Sequence, residues 1–413
     1  MSVSKKKVMA SLFCLMFVHI IALPLVTQVS SASDADLFYY LKQKFKNIPQ
    51  VTADISFLMA DLKYKDGQIK ICEFGEGTLS RFKGHDKMFG KGTLWSMFWQ
   101  HVGQFKLPLF YVGPPFGPQG AQDDRTEIGY NDFIKVGGCY IQNLSNLEQY
   151  KPFIKAASRS FNPIDVAGHK GLLVFRYGDA SRKVFQDFRK AHPGFLVLNT
   201  VPAPYVNNKY FTNILFQEPF FEKYKPKFML CETKYYQELA AQIQERLGCT
   251  KFVIKPLGEF KGRGVIIVDA DKLDQTLRII LHNKKGQWRS VDKYIDELYN
   301  YWHHVIRSNN SHFLVEEYCP SKTIELEGKL YDPTMRVVFA LQYSEGTMHV
   351  TYFDAFWKFP TRALSDEVSL TEKHKSLGTI PLPVSDEDKK DVINILNGFL
   401  PQLYEKMIRL INE

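Results

Sequence analysis

Lys255, Lys261 and Arg263 surround three glycines in Phe252-Val253-Ile254-Lys255-Pro256-Leu257-Gly258-Glu259-Phe260-Lys261-Gly262-Arg263-Gly264-Val265. An apolar strand ends in Lys-Pro, the chain passes through a basic glycine loop, and a second strand follows. Gly258, Gly262 and Gly264 let backbone N–H groups approach phosphate oxygens closely. The three cations would neutralise polyphosphate charge. The pattern is no Walker loop, because no Gly-Lys-Ser/Thr precedes a helix. Nor does it open a helix as a dinucleotide-binding loop does. On spacing alone, an ordinary hairpin with a basic tip remains the alternative.

Two later segments carry compatible chemistry. Phe313-Leu314-Val315-Glu316-Glu317-Tyr318-Cys319 is an apolar strand ending in paired acids. Such an end can offer backbone groups to a purine edge and a carboxylate to a ribose; solvated acids are the plainer reading. Gly328-Lys329-Leu330-Tyr331-Asp332-Pro333-Thr334-Met335-Arg336-Val337-Val338-Phe339 sets one arginine at the start of an apolar strand. Alternation puts Arg336 on the face opposite Val337, where it needs an anionic partner.

Near the N-terminus, Asp61-Leu62-Lys63-Tyr64-Lys65-Asp66-Gly67-Gln68-Ile69-Lys70-Ile71-Cys72-Glu73-Phe74-Gly75 reads as two strands joined at Asp66-Gly67, a strong hairpin signal. A glycine-rich polar loop follows from Gly75 to Gly92, with Arg81 and Lys83.

Taken together, the segments from Tyr224 to Glu413 resemble the ATP-grasp superfamily, in order: strand, Lys-Pro, glycine loop; Val-Glu-Glu-Tyr; then Gly-Lys-Leu-Tyr-Asp and Arg-Val. The resemblance implies that Lys255 and Arg336 contact nucleotide phosphate. It places Glu316, Glu317 and Tyr318 beside adenine and ribose, and the loop Gly258, Lys261, Gly262, Arg263 and Gly264 over the phosphates. It also asks for a lysine before the loop, for which Lys227 is the candidate. The family ends in a metal-binding hairpin, and no such hairpin follows the closing helix Asp386–Asn412 expected here. The N-terminal hairpin has that shape. The chain therefore resembles a circularly permuted ATP-grasp, the arrangement of the glutathionylspermidine synthetase-like branch, with Asp61 and Glu73 as implied Mg²⁺ ligands. Gly75 stands where the family has Asn, and Glu76 is the candidate substitute. The resemblance implies that Arg81 faces the acceptor substrate, and that a basic residue near Asp354, either Lys358 or Arg362, lies by the transferred phosphate. Trp357 is expected in the core.

The implied function is an ATP- and Mg²⁺-dependent ligase. A small-molecule or peptide carboxylate is activated as an acyl-phosphate, and an amine or other nucleophile displaces phosphate, with Arg336, Lys255 and Arg81 as the catalytic cations. Two alternatives stand beside it: a phosphoryl transferase acting on a hydroxyl, and an exported binding protein without catalysis.

The elements that must position these residues fit an α/β chain of 413 residues, 45% apolar and 23% charged, long enough for two or three lobes. No short repeat appears, which excludes coiled coil and solenoid. The net charge of +9 suits an anionic small ligand at least as well as a polynucleotide, and no nucleic-acid partner is expected. Lys5–Lys7, the apolar run to Val26 and Ser30-Ser31-Ala32 read as a signal peptide covering residues 1–32. An uncleaved membrane anchor is the alternative, and export is expected either way. Six cysteines without a CxxC spacing indicate neither a disulfide framework nor a zinc site, and the adjacent His303-His304 cannot share a helical face. The expected organisation is a helix and metal hairpin over residues 33–92, an α/β pre-ATP-grasp lobe over 93–210, and the nucleotide-binding domain over 211–413. Val201 to Asn213, with two prolines and three asparagines, is read as the linker between the last two.

Overall fold

The computed structural model describes residues 50–77, 81–113, 128–141, 171–175, 190–257, 264–282, 295–307 and 312–413, with the isolated positions Tyr39, Lys42, Thr126, Asp187, Phe188 and Gly262. The expected signal peptide, and Gly258, Lys261 and Arg263 of the glycine loop, lie outside the described residues.

The fold is mixed α/β. Its largest sheet is antiparallel with five strands: β1 (Ala53–Lys65), β2 (Gln68–Glu76), β13 (Thr334–Ser344), β14 (Thr347–Pro360) and β15 (Ser376–Pro383), in the order β15-β14-β13-β1-β2. The expected hairpin is its edge. Asp66 and Gly67 both adopt positive φ (51° and 70°), the geometry of a two-residue hairpin turn. The first and last thirds of the chain are thus stitched together, with Asp61 opposite Arg336 in the β1/β13 register.

Period-two alternation sorts this sheet into two faces. Leu58, Ala60, Leu62, Met335, Val337, Ala355, Trp357 and Phe359 enter one core, beneath the helices Ala203–Val206, Lys209–Leu215, Asp386–Asn397 and Leu400–Asn412. Trp357 is a core residue, as expected. On the other face, Phe57, Met59, Val338 and Phe356 pack against the helix Thr93–Gly103 and a second sheet. That sheet is parallel: β3 (Leu109–Val112), β4 (Cys139–Ile141), β5 (Gly171–Phe175) and β6 (Phe195–Val197), ordered β4-β3-β5-β6. Along the same face the residue types change from apolar to charged: β1 runs Phe57, Met59, then Asp61, Lys63.

A third sheet holds β7 (Phe228–Glu232), β8 (Lys251–Pro256), β9 (Ile266–Asp269) and β10 (His312–Glu317), in the order β7-β10-β8-β9. Phe252, Ile254, Phe313 and Val315 face the helices Leu239–Leu247, Ala270–His282 and Ile295–Arg307. The alternate residues, Lys255 and Glu316, are thereby left on the opposite face. A small hairpin, β11 (Ile324–Leu326) and β12 (Lys329–Tyr331), precedes β13.

Three expectations are corrected. Val201–Asn213 is no linker: it forms two short, largely buried helices in the main core, because Val201, Tyr205, Tyr210 and Phe211 supply anchors that outweigh its prolines and asparagines. The closing helix is two helices, broken at Gly398-Phe399. The loop from Gly75 to Gly92 contains the helix Lys83–Phe89, held by buried His85. Among the described residues no helix is long and apolar enough to cross a membrane.

Candidate active site

The charged face of the five-stranded sheet and the Lys255/Glu316 face of the third sheet enclose a cavity of about 410 Å³, within the roughly 300–1,000 Å³ usual for small-molecule sites. Nine lysines and arginines line it against four carboxylates, a formal excess of five positive charges. Gathering so many cations costs stability through mutual repulsion unless an anion is the intended occupant.

Arg336 and Lys358 both reach Asp61. The Arg336 guanidinium is bidentate, Nε to Oδ1 at 2.7 Å and Nη2 to Oδ2 at 2.8 Å, and Lys358 Nζ donates to Oδ2 at 2.7 Å. Burial alone would raise the Asp61 pKa, but the two cations outweigh it and hold the carboxyl well below the usual range. Arg336 also donates through Nη1 to the carbonyl of Arg81.

Glu73 stands across from Asp61 in the β1/β2 register, and a bulge between Asp61 and Leu62 leaves Cys72 as the extra residue on β2. The bulge lets Cys72 and Glu73 both line the cavity. Glu73 Oε1 accepts from Arg81 Nη1 at 3.2 Å. Burial opposes ionisation of Glu73, and Arg81 with Lys209 overcomes it. At Gly75 a Cβ would lie 2.5 Å from Met59 Cε and 2.9 Å from Arg81 Cζ, so the ends of both side chains would have to shift to admit one. Glu76 does not substitute for the missing Asn. Its carboxylate is buried on the far side of the strand, where Oε1 accepts from Asn207 Nδ2 at 3.3 Å.

The pair Asp61 and Glu73 was the implied Mg²⁺ site. The two do meet, but Arg336 and Lys358 hold both oxygens of Asp61, Arg81 holds one of Glu73, and position 75 supplies no donor. Among the described residues no three His, Cys, Asp or Glu side chains converge as a metal site would require. As folded, this donor set does not fit a Mg²⁺ ion, which requires about six oxygen ligands in near-octahedral geometry.

On the opposite wall, Glu316 is 2% exposed and binds Lys255 through Oε2 and Lys225 through Oε1 at 3.4 Å, with Asn213 Nδ2 at 3.0 Å. Burial pushes its pKa up, and Lys225 and Lys255 bring it down to about 2. Glu316 is therefore the anion that seats two lysines. Glu317 and Tyr318 also line the cavity. Glu317 Oε1 accepts the Lys227 backbone N–H at 2.9 Å, and the Tyr318 hydroxyl lies 2.8 Å from His374 Nδ1. Gly262 reaches the cavity. Gly264 supports the loop from behind, its carbonyl accepting from Trp302 Nε1 at 2.9 Å.

Lys227 is not the lysine of this wall. Its side chain is exposed, while Lys225, two residues earlier, is buried against Ile71 O (2.9 Å), Cys72 O (3.2 Å) and Glu316. Lys225-Pro226-Lys227 precedes β7, and in that irregular segment no strand alternation distinguishes the two lysines; the tertiary contact with Ile71 and Cys72 does. Arg362 is exposed and away from the cavity, so of the two basic candidates near Asp354 it is Lys358 that lines the site. Asp354 itself is occupied elsewhere by His85 Nε2 at 2.9 Å and by Lys389.

Sequence reasoning missed Lys209 and Lys87, both on the cavity wall. Lys209 opens the helix Lys209–Leu215 after the N-cap Asn208, whose side chain accepts from Tyr210 N. Burial lowers its pKa to about 8, with Glu73 partly opposing and Lys255 adding to the effect.

No family model matches this sequence, and no curated protein is similar to it. Solved structures with partial likeness include a candidate gamma-glutamylcysteine synthetase from Methylobacillus flagellatus KT, at 11% identity over 93% of each chain with a TM-score of 0.41. D-cycloserine synthetase DcsG is 14% identical over 71% of this chain and 81% of its own, with a TM-score of 0.33. D-alanyl-alanine synthetase A from Vibrio cholerae is 11% identical over 74% of this chain and 99% of its own, with a TM-score of 0.30. Likenesses of this size do not place the chain in a family.

Proposed function

We propose that this chain is a circularly permuted ATP-grasp ligase that binds ATP in the cavity between its two antiparallel sheets and joins a carboxylate to an amine. One observation carries the reading: Lys255, Arg336 and Lys358, drawn from segments up to about a hundred residues apart, line one cavity with the excess of five positive charges described above. Glu316 and Asp61 are the buried anions that fix those cations in place, and the half-buried Glu73 holds Arg81. Cations held rigidly before the ligand arrives cost no reorganisation when charge develops, which is how electrostatic stabilisation accelerates phosphoryl transfer.

In the reaction, a substrate carboxylate oxygen attacks the γ-phosphorus. The bond from that phosphorus to the β,γ-bridging oxygen breaks, and ADP leaves with the electron pair. The amine nitrogen then attacks the acyl carbon, the carbon–oxygen bond to phosphate breaks, and the nitrogen releases a proton. Lys255 and Arg336 neutralise the polyphosphate through both steps, and Lys358 and Arg81 are assigned to its γ-phosphoryl end, where it meets the acyl oxygen. Gly262 brings backbone close to the phosphates. Export through residues 1–32 and a division near residue 92 belong to the same proposal, whereas the boundary expected between 93–210 and 211–413 is not kept, because it falls inside the helix Lys209–Leu215.

Gly75 and its neighbour Arg81 favour a second reading, nucleotide binding without transfer. The test of both is ADP release by the full chain with ATP and mixtures of carboxylic acids and amines. Release that requires both co-substrates supports the ligase. Release with a hydroxyl acceptor alone points to phosphoryl transfer. Binding without release under any mixture leaves the non-catalytic reading.

A further inference from the structure

We propose that Arg81 does the work of a bound cation: the cavity takes hold of the nucleotide polyphosphate through Arg81, Arg336 and Lys358 directly, and a divalent ion enters only as the nucleotide's own counter-ion. The inference rests on the nucleotide reading above and goes further, because it assigns a role that the hairpin's carboxylates alone would not suggest.

The argument is one of space and charge. A Cβ at position 75 would stand 2.5 Å from Met59 Cε and 2.9 Å from Arg81 Cζ, so a side chain there would displace the ends of both. Gly75 thus leaves Met59 and the Arg81 guanidinium their present places beside the hairpin. The guanidinium is anchored by Glu73 Oε1 at 3.2 Å, and the Arg81 carbonyl receives Arg336 Nη1. Three cations therefore contact two carboxylates, Asp61 and Glu73, leaving this corner with a surplus of positive charge. A divalent ion approaching the unliganded protein meets repulsion here, whereas a polyphosphate meets three oriented donors. A guanidinium also presents a planar fork that matches phosphate oxygens, which a lysine at position 81 would not supply.

The experiment is calorimetric titration of the full chain with ATP in excess EDTA and again in excess Mg²⁺, beside Mn²⁺ titration of the protein alone followed by electron paramagnetic resonance. The expected result is ATP binding in EDTA within about tenfold of the Mg²⁺ value, and no Mn²⁺ binding at this site without nucleotide. Arg81→Ala should lose about tenfold or more of the EDTA affinity and become more dependent on Mg²⁺. Arg81→Lys, which keeps the charge without the fork, should recover part of the loss and guards against a folding defect. Binding that vanishes in EDTA, or tight Mn²⁺ binding by the free protein that Asp61→Asn removes, overturns the inference while leaving the nucleotide reading intact. Absence of ATP binding in both buffers removes the nucleotide reading, and this inference with it.

Discussion

The Asp61 carboxylate and the Arg336 guanidinium face each other across neighbouring strands and share two parallel hydrogen bonds of 2.7 and 2.8 Å. They are 275 residues apart in sequence, so this pair joins the N-terminal hairpin to the C-terminal strands at the floor of the cavity. Arg336→Met strands a buried carboxylate with Lys358 as its remaining ion-pair partner. The expected loss is roughly 3–5 kcal/mol of stability, read as a lowered urea midpoint with unchanged slope. A loss under about 1 kcal/mol, the size of an exposed pair, would show that the pair is not buried as described.

Glu316 gives the chain an acid-sensitive step. Its folded pKa, about 2, lies below its ordinary 4.5, so between those values the unfolded chain binds the proton and the folded chain does not. The stabilisation is therefore complete above about 4.5 and is lost as pH falls towards 2, a contribution of about 3 kcal/mol. Glu316→Gln should lower stability at neutral pH and flatten the pH dependence across that window. An unchanged acid limb would contradict the pairing with Lys225 and Lys255.

Lys209 should govern an alkaline step in ligand binding. Its pKa is lowered to about 8 from 10.5, so the charge that attracts phosphate fades as pH rises through 8. For folding the sign is opposite: the unfolded chain holds the extra proton between 8 and 10.5, so this group's contribution to stability rises with pH there. ATP affinity measured across this range should fall for the native chain. It should be nearly flat, and weaker at low pH, for Lys209→Met. A native profile without the step would place Lys209 outside the binding surface.

Two glycines with left-handed backbone should respond differently to alanine. Gly264 has φ +70°, and a Cβ would meet Pro256 Cγ at 2.8 Å; Gly248 has φ +61° with nothing within 4 Å. Gly248→Ala should cost only the backbone term, about 1 kcal/mol. Gly264→Ala should cost clearly more, because the proline ring cannot swing away. Equal thermal shifts for the two variants would argue against the tight turn behind the glycine loop.

The parts of the site legible in the sequence were those set by local rules. Asp66-Gly67 fixed the hairpin turn, strand alternation put Arg336 on the face it occupies, and the apolar runs before Lys255 and Glu316 marked the strands that carry them. The parts that were not legible depend on tertiary contacts. Lys209 sits in a stretch whose prolines and asparagines suggest a linker, yet Tyr205 and Phe211 bury it. The choice of Lys225 over Lys227 turns on how the irregular segment before β7 folds against Ile71 and Cys72. The meaning of Gly75 could not be read without the Arg81 guanidinium that fills the space beside it, since a missing side chain says nothing about what replaces it.

The most direct test of the central claim is equilibrium binding of ATP to the full-length chain compared with Lys255→Met. Lys255 lies on the cavity wall opposite Asp61, held by Glu316, and the account gives it the polyphosphate. The native chain is expected to bind ATP, and the variant, shown by circular dichroism to be folded, to bind it about tenfold or more weakly. A folded Lys255→Met protein with unchanged ATP affinity, or a native chain that does not bind ATP, would contradict the account.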